Sequence, residues 1–173
     1  HWPEPYGLGA DPVHQLIIDE ELSAARIKRP SNQIGIGWAA PTIIFAGTQE
    51  QKDRYVIPAL AAEEIWCQLF SEPGAGSDLQ GLRTTARRDG DDYIINGSKT
   101  FITNGQHCDV VIVAVRTNME VSGAKGTTLF MVDSDTPGFQ RGRNLEKIGL
   151  HPSDTSELFF EDVRVSADAI LGQ

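Results

Sequence analysis

The sequence predicts an α+β fold, a helical segment followed by an antiparallel β domain, either a barrel or a sandwich. Three observations predict it. Apolar residues recur at three- and four-residue steps up to about residue 64. Beyond that point short apolar runs alternate with turn-forming residues. No helical period of useful length follows residue 82. A length of 173 residues suits one domain or two small ones, divided here as 1–64 (helical) and 65–173 (β). The apolar content of 40% is enough for a packed core, which argues against global disorder.

Residues 14–28 place Leu16, Ile17, Glu20, Ala24 and Ile27 at helical steps, with Pro30 as a stop. Residues 33–46 are apolar nearly all round and contain Pro41, which predicts a buried helix with a kink or interruption. Gly47 closes it. Thr48 and Gln51 form a capping-box signature for a helix over 49–62, which buries Tyr55, Val56 and Leu60. Pro58 falls inside that helix, so a kink or early stop is expected there.

The strands follow. Residues 65–70 are a short apolar run. Residues 84–88 and 93–103 flank Asp89-Gly90-Asp91-Asp92, a hairpin turn. Residues 110–115 are apolar throughout, as in a strand buried on both faces. Residues 127–132 and 156–161 complete the set, and 118–126 and 133–138 read as loops.

Charge and composition exclude several classes. A net charge of −9 and a pI near 4.8 argue against a general nucleic-acid or anionic-membrane binder. They leave room for a phosphorylated ligand held by backbone N–H groups or a local cation patch. Arg141, Arg143 and Lys147 form the densest basic cluster, either a solvated strand edge or a weak phosphate or partner surface. Cys67 and Cys108 form no CxxC pair and are expected to be buried, reduced thiols. The histidines share no metal-ligand spacing, so no metal is expected, and His107 and His151 read as loop residues. No run is long enough to span a bilayer and no signal peptide is visible. The chain opens on His1 rather than Met, and both ends read as truncated.

The glycine-rich stretch Ser71-Glu72-Pro73-Gly74-Ala75-Gly76-Ser77-Asp78-Leu79-Gln80-Gly81 follows an apolar strand. It fails the dinucleotide fingerprint, because position 79 is Leu and no βαβ unit follows. It fails the P-loop, because Gly81 precedes Leu82 and Arg83. Such a loop can bring backbone N–H groups close to a pyrophosphate or a flavin edge, and Ser71 and Ser77 add hydroxyls. It can equally be a tight turn in which Asp78 bonds its own backbone. In residues 93–103, strict alternation places Tyr93, Ile95, Gly97, Lys99, Phe101 and Thr103 on one face. A ring and a hydroxyl two residues apart can cover a flat heterocycle and bond its edge. They can also be a core aromatic and a strand-forming threonine.

These stretches resemble the middle domain of the acyl-CoA dehydrogenases. That family's signature runs Ser/Thr-Glu, two residues, small, Gly, Ser/Thr, Asp, two residues, small. Ser71, Glu72, Ala75, Gly76, Ser77, Asp78 and Gly81 fit it, whereas Leu69 and Phe70 depart from the usual small and aliphatic pair. Ile102-Thr103-Asn104-Gly105 matches the Trp-Ile-Thr-Asn-Gly segment, with Phe101 in place of Trp. Trp2-Pro3-Glu4-Pro5-Tyr6-Gly7, residues 47–52, 147–156 and 159–163 extend the resemblance over essentially the whole chain, although Leu8 interrupts the usual Gly-Gly.

The resemblance implies an FAD enzyme that desaturates an acyl-CoA thioester between its α and β carbons. A carboxylate removes the α-proton while the β-hydride passes to flavin N5. It implies that Gln68, Leu69, Phe70, Ser71, Gly76 and Ser77 line FAD, largely through the backbone. Ser71 reaches the flavin ring and Ser77 also touches the CoA portion. Phe101, Ile102 and Thr103 line the flavin, with Thr103 near N5. Glu72 supports the loop and is not the base. The base lies in a C-terminal helical domain beyond Gln173, so this chain alone is expected to be inactive and to hold FAD weakly. Family relatives are dimers or tetramers that pass electrons to an electron-transfer flavoprotein, in bacterial cytoplasm or mitochondrial matrix. Two rivals share the scaffold: a flavin oxidase or monooxygenase, and a catalytically inactive partner subunit.

Overall fold

The computed structural model describes residues 2–28, 30–121 and 123–172. Among them are three α-helices and seven strands, with helices first and strands after, as the pattern requires. The helices are α1 (Pro12–Ala24), α2 (Ala40–Ala46) and α3 (Gln49–Ala61). The strands are β1 (Trp66–Leu69), β2 (Thr85–Asp89), β3 (Asp92–Thr103), β4 (Val110–Arg116), β5 (Thr127–Asp133), β6 (Phe139–Asn144) and β7 (Thr155–Ser166).

The Asp11 carboxylate caps α1 by accepting from the N–H groups of Val13 and His14, each at 2.9 Å. The helix stops at Ala24, short of the expected Lys28, because Arg26 turns left-handed at φ 57°. Its apolar stripe is present but covers no core, and none of its residues is buried. The segment before Pro41 is interrupted, as expected. Pro41 has no N–H to return to the preceding turn, and a wider π-helical turn, Gly35–Ala39, runs ahead of it. Ala40 N–H donates to the Gly35 carbonyl. Burial there is one-sided, however: Ala40 and Ile43 are buried, while Trp38 and Phe45 are exposed. The Thr48–Gln51 capping box forms, and α3 runs through Pro58 to a left-handed Ala62.

The strands build one curled mixed sheet in the order β1-β4-β2-β3-β7-β6, with β5 on the far edge of β4. Most pairs are antiparallel, but β4 is parallel to β1, from Trp66↔Val110 to Leu69↔Val113, and to β2 at Thr85↔Arg116. The chain between β1 and β4 is long enough for the return crossing that a parallel pair needs. The β2–β3 hairpin pairs Asp89 with Asp92, and Gly90 at φ 67° supplies its left-handed turn. β6 holds Arg141 and Arg143 on an exposed edge, the solvated-edge reading of that basic cluster, while Lys147 lies beyond it. This edge strand is polar with no buried residue, so it shows no apolar run to detect.

Two apolar layers flank the sheet. Inside the curl lie Cys67, Leu69, Ile95, Ile102, Val111, Val113, Phe130, Leu158 and Phe160 with their neighbours. On the outer face α2 and α3 cover Trp66, Val110, Ile112 and Met131. β4 is therefore buried on both sides, as its sequence requires. Asn32 joins the end of α3 to β1. Its amide donates to the carbonyls of Ala59 and Glu64, and its oxygen accepts from Trp66 N–H, at 2.9, 2.8 and 3.0 Å.

Candidate functional site

β1 ends at Leu69 and the chain turns at once. Glu72 and Ala75 exchange N–H···O=C bonds at 2.8 and 3.0 Å, closing a tight turn over Pro73 and Gly74. The glycine loop then leads to a short 3₁₀ turn, Leu79–Gly81. The loop is anchored to β3 by Thr100 N–H, which donates to the Ser71 carbonyl at 3.0 Å.

β3 does not keep strict alternation. Lys99 pairs with Leu158 and Ile102 with Ser156, so β3 takes three steps where β7 takes two. Phe101 sits in this bulge at φ 60°, a left-handed conformation uncommon for a bulky residue. The bulge separates two residues that alternation places on one face. Lys99 is buried at 1% exposure, whereas Phe101 is 69% exposed. Phe101 and Thr103 do stay together on the outer side, with Ile102 between them in the core.

The loop and the bulged strand form the walls of an open cleft of about 400 Å³. It is lined by Gln68, Phe70, Ser71, Gly76, Phe101, Ile102 and Thr103, and also by Ile34, Trp38 and Leu79. Two predicted residues lie off it. Leu69 is fully buried in the inner core, and Ser77 is exposed beside the loop. Among the described residues, the hydroxyls of Ser71 and Thr103 and the carboxamide of Gln68 make no hydrogen bond within the protein. Phe101 and Trp38, the latter 60% exposed, supply aromatic surface. Three polar groups without protein partners beside two exposed rings suit a flat heterocycle with polar edges.

Glu72 lies behind the loop and is 7% exposed. Its carboxylate accepts from Arg83 N–H at 2.6 Å, Thr84 N–H at 3.0 Å, Thr84 Oγ1 at 2.6 Å and Lys99 Nζ at 2.8 Å. Burial pushes its pKa up, but the hydrogen bonds from Lys99, Thr84 and Arg83 outweigh burial and hold it below the ordinary value. A carboxylate so engaged is a poor proton acceptor. Burial pulls the Lys99 ammonium down, and the Glu72 bond opposes that fall.

The remaining candidates are occupied elsewhere. Arg141 donates to the Cys108 carbonyl and Ser134 Oγ at 2.7 and 2.8 Å, and its guanidinium lies 5.6 Å from the Phe139 ring. Arg143 pairs with Glu157 at 3.1 Å, and Lys147 bonds the Ser153 carbonyl and Thr155. Both cysteines are free and buried. Among the described residues no group of His, Cys, Asp and Glu could hold a metal ion. No helix among them is long and apolar enough to cross a membrane.

Sequence reasoning missed Trp38 and Lys99. Trp38 sits in a segment whose all-round apolarity read as core, and Lys99 was assigned only a face. A lysine between two stretches of buried strand was the available signal, since an unpaired ammonium is not tolerated there.

Helices over a curled mixed sheet, with a ring- and hydroxyl-lined cleft at the end of β1, define a recognisable class. The acyl-CoA dehydrogenase middle-domain family model matches residues 67–163, and the N-terminal-domain model of the same enzymes matches residues 1–64. The chain belongs to the acyl-CoA dehydrogenase family. It is 46% identical over 168 residues to the mitochondrial long-chain specific acyl-CoA dehydrogenase of Sus scrofa, covering 96% of this chain and 39% of that protein. The crystal structure of acyl-CoA dehydrogenase from Geobacillus kaustophilus superposes with a TM-score of 0.81 at 46% identity, over 99% of this chain and 46% of that one. A glutaryl-CoA dehydrogenase from Mycobacterium smegmatis, solved in complex with FADH2, gives a TM-score of 0.70 at 40% identity over 78% of this chain and 33% of that one. The chain thus spans less than half the length of each of these relatives.

Proposed function

We propose that this chain supplies the flavin-facing walls, and part of the acyl-CoA site, of an FAD-dependent acyl-CoA dehydrogenase. The observation that carries the reading is the cleft. It joins Gln68, Phe70, Ser71 and Gly76 to Phe101, Ile102 and Thr103 across a gap in sequence. Family membership and the FADH2 complex of the glutaryl-CoA relative support the choice of ligand.

The residues fit the group. Phe101 and Trp38 would offer aromatic surface to a planar ring, and the hydroxyls of Ser71 and Thr103 would donate to its polar edge. Gln68 offers both a donor and an acceptor. Leu69 contributes through its backbone, its side chain being committed to the core. Ser77 is exposed in the loop and would meet the CoA portion of the substrate, as the family resemblance implies. A bound flavin would supply the two-electron acceptor. A donor hydroxyl beside it would favour the negative charge that reduction brings. The α-proton would go to a carboxylate outside residues 1–173, as the family resemblance implies, and Glu72, the carboxylate behind the cleft, is a weak acceptor because four donors already engage it. Electrons pass on to an electron-transfer flavoprotein, and the working enzyme is a homo-oligomer in bacterial cytoplasm or mitochondrial matrix.

The test is anaerobic mixing of the FAD-loaded full-length gene product with a panel of acyl-CoAs, following the oxidised-flavin absorbance. Bleaching with one chain-length class is expected, and residues 1–173 alone should give none. Bound flavin that no acyl-CoA bleaches would overturn dehydrogenation. Turnover by residues 1–173 alone would overturn the placement of the base.

A further inference from the structure

Lys99 and Glu72 form a buried ion pair, and each is fully engaged. Lys99 Nζ has three protons and three acceptors: Glu72 Oε1 at 2.8 Å, the Ala114 carbonyl at 2.8 Å and the Phe70 carbonyl at 3.2 Å. Glu72 takes its other three bonds from Arg83 and Thr84, at the entrance to β2. The pair therefore ties together the loop after β1, β2, β3 and β4. Its neighbours in sequence are cleft residues: Phe70 and Ser71 immediately precede Glu72, and Phe101 lies two residues beyond Lys99.

A fold does not need an ion pair at such a place. Removing two charges from water is costly, and well-packed apolar side chains often serve stability as well or better. What an ion pair adds is direction. Its bonds fix the separation of the two segments that it joins, and those segments are the two walls of the cleft. The backbone is shaped to admit it. Gly97, at φ 150°, lies so close to Thr84 that a Cβ there would stand 2.7 Å from Thr84 Cα, which keeps Thr84 over the Glu72 carboxylate.

We propose that Glu72 and Lys99 are a positioning pair for the flavin cleft, holding the Ser71 wall and the Phe101–Thr103 wall at the spacing that the ring requires. The pair acts through Ser71, Phe101 and Thr103 and touches neither cofactor nor substrate. This inference rests on the flavin reading above.

The test uses the FAD-binding full-length protein and the variants Glu72→Gln, Lys99→Met and the double substitution. Melting temperature, FAD dissociation constant and flavin absorbance band shape are measured on each. Both single variants lower the melting temperature and weaken FAD by about tenfold or more, as when groups that orient a binding residue are removed. The double variant leaves no unpaired charge and regains much of the melting temperature. It stays weak for FAD and keeps an altered band, because the tether from Lys99 to the Phe70 carbonyl is gone. FAD affinity that recovers together with the melting temperature would overturn the proposal and leave a folding staple. Should these variants fail to fold, Thr84→Val removes one donor to Glu72 while keeping shape and backbone. It is expected to weaken FAD several-fold at a nearly unchanged melting temperature, with Thr84→Ser restoring affinity. Unchanged affinity in Thr84→Val would overturn the proposal. A wild-type protein that binds no FAD is a different result, which sinks the flavin reading and this inference with it.

Discussion

Phe101 holds a left-handed backbone with its ring 69% exposed, so local stability does not explain its place. That conformation costs a non-glycine residue about 1 kcal/mol, and little burial offsets it. Phe101→Gly is expected to leave the melting temperature unchanged or raised by a few degrees while weakening FAD binding. A marked fall in melting temperature would show that the ring stabilises the fold. Asn32 is the opposite case, with 0% exposure and three bonds from its side chain to the backbone of the α3–β1 junction. Asn32→Ala strands those groups and is expected to cost about 3 kcal/mol in urea unfolding. A cost below about 1 kcal/mol would mean that water replaces the amide. The motif residues Ser71, Gly76 and Thr103 were legible in the sequence because their order along the chain carries the signature. Asn32 was not, since its partners lie 27 to 34 residues away.

At the scale of elements, local signals held where their causes are local. The Thr48–Gln51 capping box, the interruption before Pro41 and the hairpin turn at Gly90 each depend on residues within one turn of each other. β3 is different. Its register against β7 shifts twice, between Ile95 and Gly97 and again between Lys99 and Ile102, and such shifts are set by the partner strand as much as by β3 itself. Gly97 shows the same dependence, its need for glycine coming from Thr84 across the sheet. Gly97→Ala is expected to destabilise by about 2 kcal/mol or more, from overpacking and from the positive φ. It should also weaken FAD binding, since Thr84 is displaced from Glu72. Unfolding and FAD titration of the same variant check both, and an unaffected FAD affinity would uncouple Thr84 from the cleft.

At the scale of the molecule, the buried pair gives the fold a defined response to acid. Glu72 lies below its ordinary value of 4.5 in the folded protein. A folded value below the unfolded one contributes stability at higher pH, fully present above the unfolded value. That stability is lost as pH falls through the folded value. The difference in melting temperature between wild type and Glu72→Gln should be constant from neutral pH down to about 4.5 and shrink below it. A difference that already shrinks at pH 6 would contradict the ionised pair. Arg164 and its partners Asp89 and Asp92, at 2.5 and 2.9 Å, sit on the surface, so the same comparison cancels their part.

The sequence by itself determined the order of elements, the helical-then-strand division of pattern, the doubly buried β4 and the family signature that marks the cleft. These follow from periodicity, capping residues and contiguous motifs, which are properties of neighbours in the chain. Only the tertiary structure decided that β1 and β4 run parallel, that polar β6 closes an edge, that Trp38 faces the cleft, and that Lys99 turns inward to meet Glu72. Each of these depends on groups brought together from distant positions, and the energy of a buried charge or a shifted register is fixed by what lies opposite it.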